Sequence, residues 1–425
     1  MAENTYAGNV DQIQRDRISG WIADSQAPDS LPSIAVRVNG SKVGTASLGE
    51  IRDDAVALGF AGARAFRFDL LAHLGPGANR VEVVIDGMNL LLRNGRADVF
   101  ADRDEQVGAF WSQRYTGESA LITRWWQCEH VVRRINRRIC GEAVPGVSEG
   151  FHRLAMRRFA AQVPFACAVS IGCGEAQKEI AALKCGLASR FVAYELSEVA
   201  LQKARAAAEA EGLTDRIEFR LADGLEESHV GEFDAVYWNN SLHHMYDVHK
   251  AIEWSWEVLK VGGVFLMDDF VGPTRMQWSD RLMQMNYEMR SSLPPEYLRN
   301  PSNPDVTLPE WPERLSVDQM IKLDPSECAD SGNILPALAS RFPDAEIRLT
   351  GGGIYHMGLN DVLHNIIVAK DFKRLDALMD LDDRLVELGE THYAVVLAVK
   401  ERESLLARFL RRASDIRSKA GMNAG

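Results

Sequence analysis

Apolar positions along the chain change their spacing three times, and the changes divide it into four regions. Over residues 1–100 the apolar runs are short, alternating or β-branched, and Ile34–Val38, Lys42–Ala46, Phe66–Leu70 and Arg80–Ile85 are read as strands. Asn39-Gly40 between the first two is a hairpin signal, and Gly75-Pro76-Gly77 marks a further turn. The pattern predicts a small all-β sandwich domain over 1–100. Residues 101–164 shift to helical spacing, rich in Trp and Arg, and are read as a helical cap or linker. From 165 to 400 short apolar runs alternate with helical stretches, which predicts an α/β domain with insertions at 271–343 and 351–390. Over 401–425, Leu405, Leu406, Phe409 and Leu410 among Arg402, Arg408, Arg411 and Arg412 predict a basic amphipathic helix and a tail, which packs on protein or touches an anionic membrane surface.

Within the α/β region one stretch carries the clearest chemistry, Phe165–Glu179. Ala166–Ile171 reads as a buried strand, Gly172 and Gly174 as a turn needing unusual dihedrals, and the run to Leu187 as a helix. A strand, a glycine loop and a helix form the first half of a nucleotide-binding unit. Arg190–Tyr194 is a second strand with Glu195 at its end, about twenty residues on, where a carboxylate accepts hydrogen bonds from ribose hydroxyls. Ser197 then caps a helix to Glu211, and Gly212 stops it. Arg216–Leu221 leads into Ala222-Asp223-Gly224, and Phe233–Trp238 into Asn239-Asn240-Ser241-Leu242-His243-His244. A helix through Lys260, the turn Val261-Gly262-Gly263 and the strand Val264–Met267 end in Asp268-Asp269-Phe270. Helices at Thr274–Ser291 and Asn333–Phe342 precede the strand Ala345–Leu349, and a helical stretch from about His356 to Leu388 leads to the last strand, His392–Val399.

Composition narrows the partners. The chain of 425 residues has a formal net charge of -12, which disfavours nonspecific nucleic-acid binding. Its six cysteines form no CxxC pair and read as reduced, mostly buried thiols, with Cys173 a packing residue in the glycine loop and not a nucleophile. MAENTYAGNV has neither a basic region nor an apolar core, so no signal peptide is read, and no apolar run is long enough to cross a bilayer. The expected location is cytoplasmic, with peripheral contact at the inner membrane as the one membrane role left open.

The series from Ala166 to Asp269 resembles the class I S-adenosylmethionine (SAM)-dependent methyltransferases. A dehydrogenase would share the glycine loop and Glu195, but would not need Asp223 after the third strand or LKVGG before the fifth. The resemblance implies a Rossmann-like seven-stranded methyltransferase sheet with helical cap insertions, SAM as cofactor, and methyl transfer as the activity. It implies that Gly172, Cys173 and Gly174 approach the methionine moiety, that Glu195 and Leu196 hold the ribose, that Asp223 and Gly224 meet the adenine, and that Asn239 lines the cofactor's inner side. Two positions depart from the family's pattern: Ser170 stands where an acidic residue often precedes the glycines, and Ala176 where a third glycine is common.

DDFVGP, QWSDR, LPPEYL and DPSE resemble a bacterial methyltransferase subgroup found beside surface-glycan enzymes. Asp11-Gln12-Ile13, SGWIAD, VRVNG and Arg52-Asp53 resemble an accessory β-domain of surface-polysaccharide synthesis, in which Trp21 either stacks on a sugar or packs in the core. Together they imply O-methylation of a glycan sugar or its lipid-linked or nucleotide-linked precursor, with glycan-assembly enzymes or a second copy of the chain as partners. The alternatives are a lipid, quinone or secondary-metabolite acceptor, or a SAM-binding scaffold without turnover.

A hydroxyl acceptor profits from a base at the carboxyl edge of the sheet. His244 and Asp269 are the candidates, with His243 second and His356 or His364 as lid alternatives. Asp268 and Asp269 lack an identifiable third acidic ligand, so no metal is predicted. Arg133, Arg134, Arg137 and Arg138 share helix faces in pairs, which suits an anionic acceptor or a solvated face. Trp125, Trp126, Gln277, Trp278, Tyr287, Tyr297 and Tyr355 are expected to build an acceptor pocket from at least two of the three added segments.

Overall fold

The computed structural model describes residues 6–27, 30–114 and 124–402. The chain divides into two compact units, Met1–Phe110 and Trp111–Gly425. The expected basic helix at 401–425 falls, but for Glu401 and Arg402, outside the described residues.

The first unit has eight strands: β1 (Tyr6–Ile13), β2 (Arg17–Asp24), β3 (Ile34–Val38), β4 (Ser41–Thr45), β5 (Ser47–Ile51), β6 (Arg64–Asp69), β7 (Ala78–Ile85) and β8 (Leu90–Phe100). Their order is β4-β3-β7-β8-β1-β2-β6-β5. Two antiparallel ladders meet where β1 runs parallel to β8, and both turn one face to a shared core of Val10, Ile18, Ile22, Ile34, Phe66 and Val83. Asn39 and Gly40 both have positive φ, 51° and 82°, as a two-residue hairpin turn demands. Trp21 is half-buried and packs on Phe60 with ring centroids 4.8 Å apart, a packing role. Sequence reading missed β1, β2, β5 and β8.

The second unit is built on a seven-stranded sheet: β9 (Ala168–Ile171), β10 (Phe191–Glu195), β11 (Ile217–Leu221), β12 (Phe233–Asn239), β13 (Leu259–Phe270), β16 (Glu346–Gly351) and β17 (Tyr393–Val399), with the short hairpin β14 (Arg299–Asn300) and β15 (Asn303–Thr307) apart from it. The order is β11-β10-β9-β12-β13-β17-β16. β9 to β13 are parallel, and β17 inserts antiparallel between β13 and β16. This is the seven-stranded Rossmann-like sheet that the sequence resemblance implied. β9 and β10 are buried at every position because helices cover both faces, which is why they read as continuous apolar runs. Tyr237 packs with Phe151 and Leu266 in one core, and its neighbours Val236 and Trp238 with Phe265 and Leu338 in the other, following the two-residue period of a strand.

Boundaries shift in informative ways. The helix expected from Thr274 begins at Asp280, capped by Ser279, because Arg275 and Met276 have positive φ and break the preceding turn. LKVGG, expected as a turn before the fifth strand, is drawn into β13, where the register against β12 shifts between Leu259 and Val264. Arg134 bonds Asp380 and Asp383, and Arg138 bonds Asp383 at 2.6 Å, so these side chains tie the helix Glu129–Cys140 to the helix Phe372–Glu387. They are neither an anion site nor a merely solvated face.

Candidate active site

The carboxyl ends of β9, β10, β12 and β13 bring the glycine loop, Glu195, Asn239 and Asp269 to one edge of the sheet. Gly172 and Gly174 have φ of 68° and 56°, in the left-handed region that favours glycine. A Cβ on Gly172 would lie 3.1 Å from that of Ser241, so the loop abuts the turn after β12. Ala176 takes the same left-handed region at φ 56° and bears its strain without a third glycine.

Glu195 is turned toward this loop. Its Oε2 accepts from Gly174 N–H at 2.8 Å, and its Oε1 from Leu196 and Ser197 N–H at 2.9 Å each. Burial raises its pKa and the three main-chain donors pull against that rise. Ser197 caps the following helix by accepting from Ala200 N–H, as expected. Leu196 is half-buried beside it. Asp223 accepts from Leu225 N–H at 2.9 Å, which shapes the turn Gly224–Glu226. Gly224 has no room for a side chain, since a Cβ there would come within 2.4 Å of Ile171 Cδ1. Cys173 is buried and its thiol pKa is pushed well above the usual value by that burial, so it packs and does not react.

Asn239 ends β12, and its Nδ2 donates to Ser148 Oγ and Tyr237 OH at 3.0 and 2.7 Å, which fixes the side chain from the interior. Its carbonyl accepts from Lys178 Nζ at 2.6 Å. Sequence reading also missed Glu179, which is fully buried and accepts from Ser170 Oγ at 2.7 Å. The carboxylate absent from the end of β9 is thus supplied from the next helix, and Ser170 in the acid's usual place was the signal for it.

Asp269 departs from its expected role as a base. It is fully buried and accepts four bonds: Ser241 N–H at 2.9 Å, Leu242 N–H at 2.8 Å, Phe270 N–H at 2.7 Å, and His243 Nδ1–H at 2.5 Å. Burial works to raise its pKa, but His243 and the main-chain donors outweigh this and hold it below the usual carboxylate range. It positions His243 and offers no open oxygen to an acceptor. Asp268, its neighbour on the opposite strand face, is pushed to about 7 by burial.

His243 and His244 meet with ring centroids 4.1 Å apart. His243 Nε2 lies 3.8 Å from Glu327 Oε1, and His244 Nδ1 lies 3.1 Å from Ser326 Oγ. Burial lowers the pKa of His243, but Asp269 and Glu327 reverse the shift and leave it raised. Burial and the charge of His243 drop His244 to about 3, so it is neutral. Glu327 was not singled out by sequence reading, although DPSE was. The loop is braced: Asp324 Oδ1 accepts from Ser326 N–H and Glu327 N–H at 2.9 and 3.1 Å, and Arg275 donates to the carbonyls of Pro325 and Glu327 at 2.8 and 3.1 Å.

One ring away is a cleft of about 270 Å³ lined by Met276, Trp278, Leu308, Leu315, Met320 and His356, among others. Its walls come from the insertions at 271–343 and 351–390. Phe270 lies between cleft and histidines, 6.1 Å from the His243 ring, 6.0 Å from Trp278 and 5.7 Å from His356. Of the expected aromatic lining only Trp278 is there. Trp125 packs on Tyr355 and Tyr393, Tyr287 on Trp311, Tyr297 bonds Asp371, and Gln277 bonds main-chain carbonyls.

The family model described as a methyltransferase domain matches residues 169–267, the stretch that holds the glycine loop, Glu195, Asp223 and the two histidines. Among solved structures the chain is similar to the [4+2]-cyclase SpnF, at 15% identity and TM-score 0.38 over 71% of this chain and 98% of that one. It is similar to geranyl diphosphate C-methyltransferase from Streptomyces coelicolor A3(2), at 15% and 0.37 over 70% and 97%, and to StiE O-MT, at 17% and 0.32 over 61% and 75%. These likenesses are distant and none bears on the acceptor. Among the described residues no helix is long and apolar enough to cross a membrane.

Proposed function

We propose that this SAM-dependent methyltransferase O-methylates a sugar of a bacterial surface glycan or of its lipid-linked or nucleotide-linked precursor. The observation that carries the hydroxyl-acceptor reading is the junction at Ser241. On one side stands the glycine loop braced by Glu195, and on the other the cluster of His243, His244 and Glu327. SAM supplies a methyl group already activated on a sulfonium. The protein's task is to align the acceptor oxygen with it, exclude water and let the hydroxyl proton leave. With SAM bound, the acceptor oxygen would take the methyl carbon as the carbon–sulfur bond breaks, and the hydroxyl proton would pass to the cluster of His243, His244 and Glu327. In this reading the cluster activates that hydroxyl, and Asp269 fixes the orientation of His243. The sugar is supported by the sequence resemblance of SGWIAD, DDFVGP and LPPEYL to glycan-associated proteins.

A second reading, a lipid, quinone or secondary-metabolite acceptor, is supported by the apolar part of the cleft wall, Met276, Trp278, Leu308, Leu315 and Met320, while Arg290, Glu313 and Asp361 on the same wall suit a polar group. A lipid-linked sugar would satisfy both observations. Incubating the protein with methyl-labelled SAM and extracts of a strain lacking it separates the readings. Label entering glycan or its precursor supports the first, and label in free lipid or quinone alone overturns it.

A further inference from the structure

Among the described residues, His243, His244 and Glu327 each bring a donor atom to one place, all within 4.8 Å of one another. The two histidines come from the turn after β12 and the glutamate from the 324–328 loop. These segments are bonded to each other, with Ala329 N–H donating to the His243 carbonyl at 3.1 Å and Ser326 Oγ lying beside His244.

Each donor residue has a partner that fixes it. Asp269 holds His243 through Nδ1, which directs Nε2 toward Glu327. Ser326 orients His244 through Nδ1, and Cys328 Sγ lies 3.2 Å from Glu327 Oε1. A carboxylate on the far nitrogen of a histidine is the arrangement that orients metal-binding imidazoles and raises their basicity. The 3.8 Å between His243 Nε2 and Glu327 Oε1 is close to the spacing of two donors on one ion with bonds of about 2.1 Å. The site also concentrates negative charge: Asp269 and Glu327 face two imidazoles, while the nearby Lys178 gives its ammonium to the Asn239 carbonyl.

We propose that His243, His244 and Glu327 bind a divalent transition cation of the zinc, manganese or iron(II) class. Two imidazoles and one carboxylate favour these over magnesium or calcium, which prefer all-oxygen sites. Three protein ligands leave a position for a water or for the acceptor hydroxyl, whose pKa falls on binding the cation. The binding site stands on its own geometry; its use on the acceptor hydroxyl rests on the methyl-transfer reading above. The sequence reading weighed only Asp268 and Asp269 and predicted no metal; Glu327 reaches the histidines only through the fold of the insertion.

The test uses the full chain after treatment with a chelator. Titration with Zn2+ alone is expected to show one site of micromolar or tighter affinity, and Co2+ to give visible absorption of a four- or five-coordinate ion. Glu327→Gln and His244→Ala should each weaken Zn2+ at least tenfold and remove the Co2+ bands, while SAM affinity, the check on folding, stays within twofold. Absence of a saturable site in the parent chain overturns the proposal, as do variants that bind Zn2+ like the parent. Normal SAM binding without metal binding sinks the cation site alone, whereas a chain that binds Zn2+ but not SAM sinks the methyltransferase reading.

Discussion

The imidazole of His243 lies 2.5 Å from the carboxylate of Asp269, and that carboxylate also accepts the N–H groups of Ser241 and Leu242. One buried acid therefore sets both the tautomer of a histidine and the shape of the turn that carries it. Asp269→Asn puts an amide N–H against one of these donors. It is expected to cost about 1–3 kcal/mol of stability and to lower turnover while leaving SAM affinity within a few fold. Denaturant unfolding, turnover and calorimetry on one preparation check this. Turnover equal to the parent's would show that the orientation of His243 does not matter to the reaction.

Glu195 braces the glycine loop, and we propose that it also holds the ribose of SAM. A charge-assisted hydrogen bond is worth about 1.5–3 kcal/mol, so Glu195→Ala should weaken SAM at least tenfold. Loss of its three main-chain contacts should also raise amide exchange at Gly174, Leu196 and Ser197. An unchanged dissociation constant in a folded variant would remove Glu195 from the cofactor site.

Gly224 offers a steric test of the same region. A Cβ there would sit 2.4 Å from Ile171 Cδ1 and 2.8 Å from Tyr194 Cγ, side chains of two central strands. Gly224→Ala should cost about 1–3 kcal/mol through overpacking and displace the turn that carries Asp223, with weaker SAM binding as the readout. Wild-type stability and affinity together would mean that the turn relaxes freely.

What could be read in advance follows from how local each signal is. Gly172, Glu195 and Ser197 were legible because a strand, a glycine turn and a capped helix are neighbours in the chain. The bonds of Asn239 to Ser148 and Tyr237 were not legible, because Ser148 is about ninety residues away and only the strand's two-residue period brings Tyr237 to the same face. Glu327 was invisible because no local pattern marks a contact between residues so far apart in sequence. β1 and β2 were missed because YAGNVDQI and RISGWIAD mix Gly, Asn and Asp into a half-buried alternation, which weakens the strand pattern.

Acid should destabilise the protein through buried histidines. His152, 2.8 Å from Tyr237 OH, is driven by burial to about 4, and an unfolded histidine titrates near 6.5. Between pH 6.5 and 4 the unfolded chain binds more protons, so this group's contribution falls as pH drops through that window and is constant below it. Its shift corresponds to roughly 3 kcal/mol. Asp268 and Asp382, raised by burial to about 7 and 6, act with the opposite sign as pH rises from about 4. The parent-minus-variant difference isolates the histidine, so His152→Gln should lose less stability than the parent between pH 7.5 and 5. Parallel stability curves would refute the assignment.

The β unit and the methyl-transfer unit are expected to be separable. A chain beginning near Ala101 should bind SAM within twofold of the full chain by calorimetry. A folded fragment with no affinity would show that residues 1–100 contribute to the cofactor site. Loss of turnover only on a large acceptor would instead give the β unit a role in glycan recognition.

The bonds joining the 324–328 loop to the turn after β12 also tie together two stretches far apart in the chain. The glycine loop and Glu195 are held by neighbouring strands and their turns, while the cluster of His243, His244 and Glu327 is complete only where Ser326 and Ala329 reach the histidines across the insertion. A contact so distant in sequence carries the entropy of closing a long loop. The proposed acceptor side therefore depends on the insertion's docking in a way that the glycine loop does not.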